Sequence, residues 1–495
     1  MKTLSSLSGK SVVELMKKKE VSCVEVMQTH LDQVAKVNPS INAMIQHLSP
    51  EEALKQAHKA DKEIAKHRET GLLHGLPVTI KDAREVRGFL CSYGNQSPFN
   101  YRAKKDCTVA ARLRKAGAII TGITNIPDFS MSYDTDNSLY GRTRNPYDLN
   151  RSPGGSSGGE AALIAACGSY LGIGADSGGS IRQPAHNCGI AGLKPTLGLI
   201  PDTGVFPGNG FYGIFKNILT QGPMARYVDD LIHVLPIISG PDGVDPNTIP
   251  IAVKDPNQVD LSQLRIALYT KNNITVPRED IVSVVNKAGN LLKSEVHSID
   301  EQYPPNTKET CSMFEELFFY GGDGGQWLID RMIAMHVTKV EKPFQAILDR
   351  AAVCHFSVTE LRRRLELIEE FKYSMMEFMR DYDVIICPAA TTPANLYEQK
   401  IEVKEGFDLA YDLTYNLPYN ITGWPAVVVR CGTSDEGLPI GVQIVAKAWH
   451  DDVALAVAKR LEELLGGWQA PVLELVDNSL NYSQRPATCS RDPET

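Results

Sequence analysis

The 495-residue sequence predicts an α/β protein folded as a layered α/β/α body, on three observations. Short apolar runs alternate with amphipathic helical stretches along most of the chain. No low-complexity linker divides it, so one large domain is expected, although length alone would allow about three. The composition, 43% hydrophobic and 22% charged, is that of ordinary globular material with enough apolar residues for a large core.

The first hundred residues read as helical. Val12, Leu15 and Met16 share one face of a short helix. Ser22 and Glu25 form a capping box ahead of Val26, Met27, Leu31 and Val34. Ser49-Pro50-Glu51-Glu52 supplies an N-cap, a proline at the first helical position and acid in the first turn. "LHGLPVTIKDA" then reads as a turn and a short buried strand from Val78 to Ile80, with Lys81 at its end. Residues 108–127 read as helix, glycine stop and strand. A small-residue helix is expected from Glu160 to Cys167, followed by an apolar strand around Tyr170 to Ile173. Further buried strands are expected at 264–270, 382–390 and 425–431, with long amphipathic helices at 358–381 and 451–465.

Composition excludes several classes. With a net charge of −8, and with no basic cluster beyond "MKKKE" and "RRR", nucleic acid is not an expected partner. No long uncharged apolar run is present, so no integral membrane segment is expected. The N-terminus lacks the apolar core of a secretory signal. Ten cysteines without a CxxC pair read as reduced thiols of a cytoplasmic protein. The histidines form no HExxH or similar spacing, so no metal is expected.

The segment "SPGGSSGGEAALIAACGSYLGIGADSGGSIRQPA" concentrates glycine and serine, both poor helix formers. A linker reading fails because Ala161–Ala166 and Tyr170–Ile173 should be packed. A phosphate cradle fails because no Gly-Lys-Ser/Thr follows. Gly154, Ser156 and Gly158 match GxSxG, yet the hydrophobic strand that should precede a nucleophile elbow is missing.

"GGSSGGEAALIAACGSYLGIGADSGGSIRQPAHNCGIAGLKPT" resembles the signature segment of the amidase signature family. The likeness extends to "GLPVTIKD", "GRTRNPYD", "QGPMAR" and "YNITGWPAVVVRCG…GLPIGVQIVA", and covers roughly residues 10 to 470. It implies a large mixed central β-sheet flanked by helices, as a single amidase domain over 1–495. Within it fall a signature core at about 70–215, a variable helical cap at about 303–380 and the C-terminal part of the sheet at about 381–470.

The resemblance also implies a Ser–Ser–Lys triad: Ser180 of "SGGSIR" as nucleophile, Ser156 as bridging relay and Lys81 of "TIKD" as base. In the family the peptide bond before the bridging serine is cis, here Gly155–Ser156. A serine hydroxyl needs a neighbouring base to become a nucleophile. A lysine serves as that base only if burial strips its proton. The backbone amides of Ser177, Gly178, Gly179 and Ser180 are the expected oxyanion hole. Ser157, Asp176 and Arg182 match bracing positions, and Ser130 and Met131 fall where the family lines its acyl pocket; Met131 could equally be core filler. His186, six residues past Ser180, reads as packing beneath the loop rather than as a triad member.

The implied activity is amide hydrolysis on an apolar acyl or aryl amide, without a cofactor, with esters and carbamates open. The implied partner is a small-molecule amide, and a homodimer is left open. Two alternatives stand beside it: a glutaminase subunit of a tRNA-dependent amidotransferase, and a catalytically silent binding protein on the same scaffold.

Overall fold

A computed structural model describes residues 3–66, 70–97, 101–205, 213–397 and 413–473. In chain order its strands are β1 (Met44–His47), β2 (Pro77–Lys81), β3 (Leu90–Cys91), β4 (Tyr101–Arg102), β5 (Ile119–Thr124), β6 (Leu171–Asp176) and β7 (Ala191–Lys194). There follow β8 (Thr220–Ala225), β9 (Arg265–Leu268), β10 (Ser298–Glu301), β11 (Val384–Pro388), β12 (Ala426–Thr433) and β13 (Pro439–Ala446). β3 and β4 form a small ribbon; the other strands make one 11-stranded sheet in the order β1-β5-β2-β6-β8-β7-β12-β13-β11-β9-β10.

The sheet is mixed, as expected. β5, β2 and β6 run parallel, as do β11, β9 and β10. From β6 through β8, β7, β12 and β13 to β11 every pairing is antiparallel, and β1 closes one edge antiparallel to β5. Successive strand side chains point to opposite faces, and both faces are covered. Ile266, Leu268, Val384, Ile386, Val442 and Ile444 pack into one cluster with helix residues such as Leu231 and Leu455. Their neighbours Ala267, Ile385 and Val445 pack into a second cluster with Phe371 and Met375 of the helix Val358–Phe378. This two-sided burial explains why the strands read as continuous apolar runs rather than alternating ones.

Local signals act as expected at the helix ends. Ser22 and Glu25 complete a reciprocal capping box, and Ser49 accepts from the Glu52 amide. The helix Asp451–Leu465 stops at Gly466, which takes a left-handed conformation. The expected strand at Val78–Ile80 is longer, and Lys81 itself joins the ladder opposite Thr124. The strand expected at Tyr170–Ile173 runs on to Asp176. The sequence pattern does not mark β1, β7, β8, β10 or β13 as strands. β8 carries Gly222-Pro223, a pair that normally argues against a central strand.

Nine cysteines among the described residues are free thiols, and no cluster of metal-ligating side chains occurs among those residues. No helix there is long and apolar enough to cross a membrane.

The parallel pair β2 and β6 ends, on the same edge of the sheet, in Lys81 and Asp176. Carboxyl ends of parallel strands are where loops gather to form sites in α/β sheets.

β7 and β8 approach closely: a Cβ on Gly222 would lie 2.0 Å from the Leu193 carbonyl oxygen. Gly222→Ala is therefore expected to force two backbones apart and to destabilise the protein by about 1–3 kcal/mol. A lowered melting temperature by calorimetry would show it; an unchanged one would mean that the ladder yields freely.

Candidate active site

The turn that precedes the helix Gly158–Ala165 brings its two serines to the end of β2. The Gly155–Ser156 peptide bond is cis. The Gly155 amide donates to Gln183 Oε1 (3.0 Å) and the Ser157 amide to the Ser180 carbonyl (3.1 Å). This turn is thereby tied to the loop after β6. A side chain at 155 has no room, since its Cβ would lie 2.5 Å from the Ser132 carbonyl oxygen.

Lys81 is 1% exposed, and its Nζ hydrogen-bonds to Ser156 Oγ at 2.6 Å and to Ser157 Oγ at 3.0 Å. Burial pushes its pKa well below the usual lysine value, and the nearby Arg84 charge adds to that. Asp176 and Glu160 act in the opposite direction. Ser157, expected only to brace the loop, thus touches the amine directly, and its hydroxyl donates onward to the Ala175 carbonyl (3.3 Å).

Ser180 lies on the loop just beyond β6 and is 7% exposed. Its hydroxyl makes no hydrogen bond among the described residues, to Ser156 or to any other group, yet it is not sealed from solvent. The structure therefore joins Lys81, Ser156 and Ser157 by side chains, and joins Ser180 to them through backbone.

Of the four amides expected to form an oxyanion hole, one already has an acceptor within the loop. The Gly179 amide donates to Asp176 Oδ1 (2.8 Å). Among the described residues the amides of Ser177, Gly178 and Ser180 find no acceptor. Gly179 itself sits at φ +117, a conformation other residues rarely adopt.

Asp176 and Arg182 are fully buried and paired through two bonds of 2.9 Å. Burial alone would raise the Asp176 pKa; the Arg182 charge and bonds, with Asn420, outweigh it and hold it well below the usual carboxylate range. Arg182 is further held by the Asn416 carbonyl (3.1 Å), Gln443 Oε1 (2.8 Å) and Asn420 Oδ1. These three residues, and Gln183, are absent from the residues expected from sequence. Their signal was present: Asn420 stands in "YNITG" and Gln443 in "GVQIVA", motifs of the resemblance some 240 residues downstream.

His186 is buried and accepts from the Gly441 amide at Nδ1 (3.0 Å), while Nε2 lies 3.0 Å from the Thr392 carbonyl. Burial lowers its pKa. Its ring bridges β13 and the segment after β11, hydrogen-bonded and apart from the lysine–serine cluster.

Ser130 and Met131 separate. Met131 packs between two apolar clusters and lines a cavity with Phe129, Trp327, Leu328, Met332 and Phe344. Ser130 is not in that wall; its buried hydroxyl has no partner among the described residues, and its φ is +62 directly after Phe129 at +51. Over the Ser180 loop lies Phe314, close enough that a Cβ on Gly178 would meet its ring at 2.6 Å.

Residues 25–455 match the family model of the amidases. Human fatty-acid amide hydrolase 2 is 30% identical, over 94% of this chain and 90% of that protein. A glutamyl-tRNA(Gln) amidotransferase subunit from Gloeobacter violaceus is 31% identical, over 90% and 94% respectively. Among solved structures, 6-aminohexanoate cyclic dimer hydrolase complexed with substrate superposes with a TM-score of 0.83 at 26% identity, covering 95% of this chain and 99% of that one.

The Asp176–Arg182 pair yields a stability test. Arg182→Met leaves a carboxylate buried and unpaired, and is expected to cost about 3–5 kcal/mol at neutral pH. A depressed native pKa contributes stability that is complete above the ordinary aspartate value and fades as pH falls. The variant's carboxylate takes up a proton more readily, so the gap between the two proteins should narrow in acid. Denaturant melts at pH 7 and pH 4 measure it; a gap independent of pH would remove the assigned cause.

Proposed function

Since the chain belongs to the amidase family, the enzymes that hydrolyse carboxylic amides, we propose that it works through a serine acyl-enzyme built on Ser180, Ser156 and Lys81. The observation that carries this reading is the 2.6 Å bond between a buried Lys81 amine and Ser156 Oγ, on a turn tied directly to the Ser180 loop.

Ser180 Oγ attacks the amide carbonyl carbon while its proton passes to Ser156 Oγ, whose own proton passes to Lys81 Nζ. The tetrahedral oxyanion is met by the amides of Ser177, Gly178 and Ser180. The carbon–nitrogen bond then breaks as the leaving amine takes a proton back from Lys81 through Ser156. Water, deprotonated along the same chain, releases the acid and restores Ser180. Catalytic hydrogen bonds are often long in a free enzyme and shorten once substrate is bound. The open Ser180 hydroxyl fits that pattern. Asp176 and Arg182 hold the loop rigid.

The substrate we propose is an amide with an apolar acyl or aryl group. Phe314 over Gly178, and the Met131 cavity beneath the helix Gln326–Ala334, support it. These contacts also support reading residues from about 303 to 380 as a cap over the site. The similarity to an amidotransferase component keeps glutamine as the second reading, although a cavity lined, Arg331 apart, by apolar side chains suits that polar side chain poorly.

Two variants test the mechanism, and a substrate series decides between these two readings. Ser180→Ala should abolish both labelling by a fluorophosphonate probe and amide turnover; retention of both would remove Ser180 from the chemistry. Lys81→Ala should slow acylation by about 100- to 10,000-fold, the range of a lost general base. It should also erase the rise of kcat/KM with pH that deprotonation of Lys81 gives the native enzyme. Across a series of acyl chain lengths, with glutamine included, the apolar members should turn over fastest; glutamine in first place would favour the second reading.

A further inference from the structure

One buried carboxylate beside this chain has no part in the steps above. Glu160 is the lone acid in the small-residue helix Gly158–Ala165 and is fully buried. It accepts from Thr79 Oγ1 and from Thr124 Oγ1 (2.7 Å), and Thr79 also contacts Ser169 (2.9 Å). Thr79 precedes Lys81 by two positions and so lies on the same face of β2. Thr124 is the cross-strand partner of Lys81. From the third side β6 presses in, where a Cβ on Gly172 would lie 1.8 Å from Glu160 Oε1. Three strands thus fix the carboxylate on the face of β2 that Thr79 shares with Lys81, with two hydroxyl donors and no ion pair among the described residues.

The charges facing Lys81 are Arg84, Asp176 and Glu160; those facing Glu160 are Arg84 and Lys81. Asp82, next in the chain, turns instead to Ser92 and the Gly94 amide. Asp176 is committed to Arg182, Asn420 and loop amides. An ammonium formed at Lys81 would be buried beside the Arg84 cation, a costly arrangement without a nearby anion.

We infer that Glu160 is a positioning residue of the proton chain, its carboxylate serving as counter-ion to the ammonium that Lys81 becomes when it takes the Ser180 proton. This rests on the acyl-enzyme reading above. Burial raises the Glu160 pKa to about 7, against the two threonine hydroxyls and the neighbouring cations, so its charge responds to its surroundings.

The test is the pH profile of kcat/KM on an apolar acyl p-nitroanilide. Glu160→Gln keeps the shape and removes the charge. The carboxylate favours protonated Lys81, so its loss lets the amine deprotonate at lower pH. The acid limb should move toward acid by about one unit, with kcat falling about 10- to 100-fold and KM within about twofold. Thr124→Val removes one donor to the carboxylate and weakens its charge, so the limb should move the same way by less. If Glu160→Gln does not fold, Thr124→Val decides. A limb that stays at the native position while kcat falls would make Glu160 a packing residue and overturn the inference, as would unchanged kcat. A native enzyme that hydrolyses no amide would instead remove the acyl-enzyme reading itself, a failure visible before any variant is made.

Discussion

An amine sealed inside a protein must be solvated by something other than water, and the contact of Lys81 with two serine hydroxyls is how this molecule does it. Those bonds of 2.6 and 3.0 Å set where the Gly155–Ser157 turn must lie. The turn in turn fixes the Ser180 loop through the Ser157 amide and Gln183. Because the lysine ends a central strand flanked by parallel neighbours, its backbone is held in the ladder opposite Thr124. Its lowered proton affinity comes first from this burial, since desolvation disfavours the charged form, and then from the Arg84 charge.

The charged pair beside that buried amine acts as a brace for the Ser180 loop. A buried Asp176–Arg182 pair stabilises little by itself, because desolvating two ions offsets their attraction. Its value here lies in orientation. It holds the Gly179 and Ile181 amides at 2.8 and 3.2 Å and so shapes the turn on which Ser180 sits. That same commitment occupies the Gly179 amide, while those of Ser177, Gly178 and Ser180 have no acceptor among the described residues.

Much of this was legible in the sequence, and the gaps have physical causes. The alternation of apolar runs and amphipathic helices gave the layered α/β body, and the caps at Ser22 and Ser49 gave helix starts. Strands β7 and β8 were illegible because one is very short and the other carries glycine and proline; only their ladder neighbours make them strands. Lys81, Ser156 and Ser180 stood out through the long motifs around them. Ser157 touching the amine could not be read, since two adjacent serines look alike until the turn is built. Nor could the fate of the Gly179 amide, which depends on where Asp176 points. Glu160 offered one signal, a lone acid among small residues, but only the strand register shows that it lies on the face of β2 that Thr79 shares with Lys81.

The brace on Arg182 has a consequence for how the protein comes into being. The arginine is reached by Asn416, Asn420 and Gln443, which lie more than two hundred residues further along the chain. The serine loop cannot be set by its own segment of chain, because contacts of such long sequence separation must close a large loop before they contribute. Its final order therefore depends on a part of the fold remote from it in sequence.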